Sequence, residues 1–346
     1  MPARTTRGTV MLSSRMTASQ LQRLVDKIGI FIAAHQLPSG AIPYYQGGVT
    51  DPWDHVECAI ALDLCGMSDS ATKAYHWLAE IQNPDGSWWY TYQDGQRKEP
   101  AKDSNHSAYI ATGTWFHYLA TRDKHFLREM WPVVEKGIDF TLSLQQPTGE
   151  IYWALDYKDD PWPSAPLSAS SCIYQSITSG ITIAQTLGLD RPDWEMATAK
   201  LIRAIREQPE LFDFHGDNRR GYAMNWYYPV LTGVVSGGEA GDHIAEQWPE
   251  FVIDGWGCKC SLDEPWVTVA ETCELAMALV SISEVGAADT LLEWVLQLQD
   301  SDGGFWTGIR LPEEIIYPPD EKTTWTAAGM ILALLADSEL ALANLP

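Results

Sequence analysis

Four stretches share one design: Ala33-Ala-His-Gln-Leu-Pro-Ser-Gly-Ala-Ile42, Ala79-Glu-Ile-Gln-Asn-Pro-Asp-Gly-Ser-Trp-Trp89, Leu142-Ser-Leu-Gln-Gln-Pro-Thr-Gly-Glu-Ile-Tyr-Trp153 and Leu296-Gln-Leu-Gln-Asp-Ser-Asp-Gly-Gly-Phe-Trp306. In each, a run of helical apolar periodicity ends in glutamine, and a Gly-containing turn stops the helix and sends an aromatic or aliphatic residue back across its end. A second helix-like run follows each turn, as in 53–66, 104–123, 170–188 and 323–336. Two more degenerate hairpins fit between Pro192 and Met277, giving about twelve helices in six pairs. Hairpins that cannot bury both faces alone pack side by side, and six of them close into a ring. The fold expected is therefore all-α, an (α/α)6 toroid of six helical hairpins in one domain over 17–340, preceded by a flexible segment at 1–16.

Direction follows from the repeat. If odd helices run one way and even helices the other, every odd-to-even loop emerges at the same end. Those are the long loops, and they hold most of the loop Trp, Tyr, Asp, Glu and His residues, so that end is the expected working face. The connections at the other end, such as Gly66–Ser70 and Ala120–His125, are short.

Composition narrows the functional classes. The 346 residues carry a formal net charge of −23, which disfavours nucleic-acid and anionic-membrane partners. Hydrophobic residues make up 45%, enough for a large core, and no apolar run is long enough to span a bilayer or resembles a secretory signal. A cytoplasmic protein with a small-molecule substrate, no membrane insertion and no cofactor is expected. Cys58, Cys65 and Cys172 read as buried thiols; Cys258, Cys260 and Cys273 form only a weak metal pattern, so no metal site is assigned.

The segment 103–145, DSNHSAYIATGTWFHYLATRDKHFLREMWPVVEKGIDFTLSLQ, resembles the six-hairpin glycosidases, a group that includes glucoamylase-like and glycogen-debranching enzymes. PSGAIPYY at 38–45 with TDPWDHVECAIAL at 50–62 looks like the first hairpin of that superfamily, whose Trp and Asp hold the terminal sugar. The run 310–336 is similar to its last, where a Pro-Glu supplies a general base. QNPDGSWW and QDSDGGFW also match the Gln-x3-Gly-x-Trp/Phe repeats of squalene cyclases and prenyltransferase β subunits, which share the toroid.

The resemblance implies a glycoside hydrolase, of the inverting type, acting on a small glycoside or oligosaccharide with two carboxyl groups about 6.5 to 9.5 Å apart. Glu313 or Glu314 after Pro312 is the implied base; the acid is implied after the fifth helix, at Asp156 or Asp159, with Glu271 as the fallback. Candidate substrate contacts are Trp53, Asp54 and His55 on the second helix, and Asp103, Asn105, His106 and Tyr109 on the fourth. Trp88, Trp153, Asn225, Trp226, Tyr227 and Trp266 complete the set. Asp51 and Asp103 read equally well as helix caps. Aromatic rings stack on sugars and also hold prenyl chains, so two other readings stay open. One is a terpene-cyclase or prenyltransferase-like enzyme acting on an isoprenoid, and the other a non-catalytic sugar- or lipid-binding toroid.

Overall fold

The computed structural model describes residues 16–212 and 221–337; the expected flexible segment at 1–16 lies outside these but for Met16. Twelve α-helices are found among the described residues. They are α1 (Ala18–His35), α2 (Pro52–Leu64), α3 (Ser68–Ile81), α4 (Ser104–Thr121), α5 (Lys124–Ser143) and α6 (Leu167–Leu187). The second half supplies α7 (Pro192–Glu207), α8 (Ala223–Leu231), α9 (Gly238–Phe251), α10 (Val269–Ser281), α11 (Val285–Leu296) and α12 (Thr324–Leu334).

The even helices form the inner wall, packing in the closed order α2, α4, α6, α8, α10, α12 and back to α2. Their sequences show why. Helix α12 (TWTAAGMILAL) is largely apolar and small on every face, and nearly every residue of α2 (PWDHVECAIALDL), its acids included, is buried, the pattern of helices enclosed on all sides. The odd helices keep a polar outer face and pack against the outside of this ring: α1 on α12 and α2, α3 on α2 and α4, α5 on α4 and α6, and α7, α9 and α11 on α6, α8 and α10.

The Gln-x3-Gly turns join one hairpin to the next. Gln82 Nε2 donates to the Gly86 carbonyl at 3.0 Å and to the Val133 carbonyl on α5 at 2.9 Å. Gln36 bonds Gly40 at 3.0 Å and Ser70 on α3 at 2.9 Å, and Gln145 bonds Gly149 at 3.0 Å and Ala197 on α7 at 2.9 Å. The glycines are needed on two counts. All four have positive φ, and a Cβ at Gly86 would stand 2.1 Å from the Lys136 carbonyl oxygen on α5. At Gly303 the neighbour is the Lys27 carbonyl oxygen on α1, 2.6 Å from such a Cβ, so the last repeat rests on the first helix and closes the outer ring.

The odd-to-even loops also hold short strands, which helical periodicity does not predict. They are β1 (Trp89–Gln93), β2 (Gln96–Asp103), β3 (Ala154–Leu155), β4 (Pro161–Trp162), β5 (Val252–Ile253), β6 (Gly257–Cys258), β7 (Trp266–Thr268), β8 (Gly308–Arg310) and β9 (Ile315–Ile316). Strands β1 to β4 make one sheet and β7 to β9 another, so each sheet links two successive loops. A Thr50–Tyr92 bridge ties the first long loop to the second, and a Tyr222–Ser261 bridge ties the fourth to the fifth. Loop backbone at this rim would otherwise be left unpaired beside buried side chains. Among the described residues no helix is long and apolar enough to cross a membrane.

Replacing Gly86 with Ala should destabilise the protein by at least about 2 kcal/mol, through positive-φ strain and the clash with the Lys136 carbonyl. Thermal or urea unfolding measures this; stability equal to wild type would disprove the clamp.

Candidate active site

All six inner helices start at the end where the long loops emerge, so their first turns surround the mouth of the ring. Helix α2 is capped by Asp51, which accepts from the Asp54 N–H at 2.8 Å and also from the Tyr44 hydroxyl. Asp103 caps α4 by accepting from the His106 N–H at 3.0 Å. Both aspartates thus act as caps, whatever else they contact.

One turn into α2 and α10 lie two pairs of acids at i and i+3, Asp54 with Glu57 and Glu271 with Glu274, all four buried. Glu57 accepts from Tyr109 Oη at 3.1 Å and from Trp325 Nε1 at 2.6 Å. Glu274 accepts from Tyr228 Oη at 2.6 Å and from Tyr227 Oη. Glu271 accepts from the Thr268 hydroxyl. Burial raises Asp54 well above the usual carboxylate range, and the charges of Asp51, Glu57 and Glu274 push it further. Glu57 is pushed up to about 7 by burial, against the hydrogen bonds from Trp325 and Tyr109. Glu274 is raised well above its ordinary value by burial and by the Glu57 and Glu271 charges. Glu274 thus feels both acids of α2, although α12 stands between their helices.

Trp53 spans the mouth. Its indole meets Tyr109 at 5.7 Å between ring centroids and, across the ring on α8, Tyr228 at 6.0 Å. His106 lies 6.4 Å from Trp53 and stacks on Tyr90 at 5.1 Å, which in turn stands edge-on to Trp153 at 6.5 Å. The buried polar atoms Asn105 Oδ1 and His106 Nδ1 have no hydrogen-bond partner within the protein, as expected of groups kept for a polar ligand. Asn225 Oδ1 accepts from the Ser168 N–H at 2.9 Å, joining α8 to the start of α6. Below this level the lumen narrows to a cavity of about 100 Å³ between Glu57, Glu274 and apolar residues such as Leu64, Phe116 and Leu332.

The structure therefore gathers Trp53, Asp54, Asn105, His106, Tyr109 and Glu271, and places other expected residues elsewhere. Glu313 and Glu314 are exposed at the β8–β9 turn. Asp156 organises its own turn by accepting from the N–H groups of Lys158 and Asp160, and exposed Asp159 pairs with Lys102 at 2.7 Å. These four follow the loop chemistry of turn-forming and solvated acids. His55 is wholly buried, with Nδ1 accepting from the Ile42 N–H and Nε2 facing the Ala74 carbonyl. Burial lowers it to about 4, so it is a neutral core residue. Trp88 is core, its Nε1 donating to the Leu78 carbonyl, and Trp226 stacks on Phe251 between α8 and α9. Tyr227 reaches Glu274 from behind α8. Sequence reading missed Glu274, Tyr90, Tyr228 and Trp325. The available signal was a pair of acids three apart on each of two largely apolar helices, Asp54 with Glu57 and Glu271 with Glu274. Among the described residues no three His, Cys, Asp or Glu side chains come together as a metal site, and all six cysteines are free.

No family model matches the chain. It is 43% identical over 302 residues to an MMP endo-(1,4)-3-O-methyl-α-D-mannosidase of Mycolicibacterium hassiacum, an alignment covering 87% of this chain and 82% of that enzyme. The chain belongs to this mannosidase's family. It is a glycoside hydrolase, and of the readings the sequence leaves open this is the one the relationship carries. An uncharacterised glycosyl hydrolase of Methanocaldococcus jannaschii is 31% identical over 121 residues, 35% of this chain and 19% of that protein. Solved structures agree on the fold of the hydrolase. A wild-type glycosidase superposes with a TM-score of 0.74 at 14% identity over 95% of this chain and 98% of its own. A D-mannose isomerase gives 0.71 at 11% identity, over 92% and 98%.

Because Glu57 is raised from the ordinary 4.5 to about 7, its favourable contribution is complete below pH 4.5 and is lost as pH rises through 7. The stability advantage of wild type over Glu57→Gln should narrow across that window, by an amount on the order of 3 kcal/mol. Urea unfolding at pH 4.5 and 7.5 tests it; a constant gap would contradict the assignment.

Proposed function

We propose that this hydrolase is an endo-acting mannosidase that cuts an α-(1,4)-linked chain of 3-O-methylmannose, the linkage and sugar in its relative's name. Asp54 is the proton donor and Glu271 the carboxylate that activates water. The observation that carries the reading is the placement of these two acids on α2 and α10, beside the aromatic mouth of the ring.

Each role follows from surroundings. A general acid must hold its proton near neutrality, and burial with three acidic neighbours keeps the Asp54 carboxyl protonated. The Thr268 hydroxyl orients the Glu271 carboxylate. Glu57 and Glu274 are less suited, since both oxygens of each already accept from Tyr or Trp. Their part is to hold Tyr109, Trp325 and Tyr228 in place and to raise Asp54.

Neighbouring helices packed about 9 Å apart would put the axes of α2 and α10 roughly 16 Å apart across α12. We take the reaction to be of the inverting type, in which a water fits between the two carboxyl groups. As the sugar ring flattens toward an oxocarbenium ion, Asp54 protonates the departing oxygen and water attacks from the Glu271 side. Trp53, Tyr90, Tyr109 and Tyr228 offer apolar faces to sugar rings and their methyl ethers, while Asn105 and His106 supply unpaired polar atoms. Six free thiols fit a reducing, cytoplasmic setting.

Asp54→Asn and Glu271→Gln should each lower kcat on an α-(1,4)-linked 3-O-methylmannose oligosaccharide by about 10³-fold or more, with an unchanged circular dichroism spectrum. Glu313→Gln and Glu314→Gln should stay near wild type, because both side chains are exposed outside the ring. The inverse pattern would move the site to the β8–β9 turn. Proton NMR of the first product formed should show the β anomer of the reducing sugar; initial release of the α anomer would overturn the water-between-carboxyls geometry.

A further inference from the structure

The mouth is one end of the lumen, and the cavity of about 100 Å³ beneath it leads toward the other. The inner end of this cavity is bounded by Glu57, Tyr109, Tyr228 and Glu274. Its outer end is lined by Leu64 and Leu231, the last residues of α2 and α8, and by Ala336 beyond α12. Since the inner helices all start at the working face, this outer end lies at the back of the ring. Leu64, Leu231, Met277 and Leu332 are part-exposed although they stand on the inner wall.

Two features separate this space from a packing void. Cavities that stay empty are lined by apolar groups alone, whereas four polar groups converge on the inner end of this one. Each carboxyl oxygen of Glu57 and Glu274 accepts one hydrogen bond from Tyr or Trp and has a second lone pair to offer. At about 30 Å³ per water the cavity has room for roughly three, and a buried water needs about two to four polar partners. The second feature is position. Glu271 and Glu274 are an i, i+3 pair on α10, a spacing that puts both on one helix face with Cβ atoms about 5–6 Å apart, the span of one bridging water. Trp53 meets Tyr109 and Tyr228 across the α2, α4 and α8 side of the floor, which leaves the α10 side for passage.

In the inverting reaction water attacks from the Glu271 side, and a chain being cut at an internal bond covers the mouth through which that water would otherwise arrive. We propose that the lumen is a back-door water path: water enters at the back of the ring, gathers at Glu57 and Glu274, and reaches Glu271 without passing the bound chain. The proposal rests on the reading of Glu271 as the carboxylate that activates water. The walls between the two ends suit this task, since the apolar side chains of Ile60, Phe116 and Leu332 hold water weakly and pass it on to the acids.

Leu64→Trp combined with Leu231→Trp tests it, since both residues line the outer end, at the opposite ends of their helices from the mouth. On an α-(1,4)-linked 3-O-methylmannose octasaccharide, kcat should fall roughly tenfold with an unchanged circular dichroism spectrum. On an aryl mannoside, which leaves the mouth open to water, kcat should stay at the wild-type value. Wild-type kcat on the octasaccharide, or an equal loss on both substrates, would overturn the path. A second arm does not depend on turnover. Crystals of the wild-type protein held under xenon should show ordered waters bonded to Glu57 and Glu274 and no xenon in the lumen. Xenon filling the cavity would overturn the path, because an apolar void takes xenon and stays dry. Absence of hydrolysis by wild type on both substrates would refute the mannosidase reading, and the crystals would then decide by themselves whether the lumen carries water.

Discussion

Everything in this protein depends on the contact between a turn and the next outer helix. In three of the six turns a glutamine side chain bonds the carbonyl of its own glycine and a carbonyl of the following odd helix, and the glycine presses its Cα against that helix's backbone. A single hairpin offers no such partner. Stacking neighbour on neighbour satisfies each turn, and the last glycine satisfies itself on α1. Closure is thereby a geometric requirement of the repeat, and it brings six helix starts around one mouth.

That mouth gathers acidic side chains. Asp54, Glu57 and Glu274 are buried near the starts of α2 and α10, where desolvation and the neighbouring acidic charges oppose their ionisation. Helix N-termini offset part of this by directing unpaired N–H groups and the positive end of the macrodipole toward them. Hydroxyls and indoles of Tyr109, Tyr227, Tyr228 and Trp325 do the remainder. The site is thus destabilised locally and braced by the surrounding wall, the arrangement by which a fold tunes carboxyl groups for acid and base work.

Much of the ring is legible in the chain. Periodicity in 53–66, 104–123, 170–188 and 323–336 matches α2, α4, α6 and α12 closely, because buried helices must be apolar all round and turns must contain Gly. The working end is legible for the same reason: long loops follow odd helices, and Trp53, His106 and Tyr109 stand in the turns beyond them. The loops themselves are not. Their strands β1 to β9 arise from pairing between successive loops, which no local pattern records. A carboxyl such as Glu313 looks the same in sequence whether it points into a lumen or into water, and a tryptophan such as Trp226 looks the same in a core as in a pocket.

The sequence by itself determined the repeat, the helix count, the ring and the end where the long loops emerge, since these follow from period, turn chemistry and the need to bury apolar faces. Which acids face one another was decided only by tertiary structure. Glu57 and Glu274 are more than two hundred residues apart in the chain, yet the Glu57 charge reaches Glu274 because α2 and α10 stand on either side of α12 in the closed ring. Burial, hydrogen-bond partners and neighbouring charge set the ionisation of a carboxyl, and all three are properties of the closed ring.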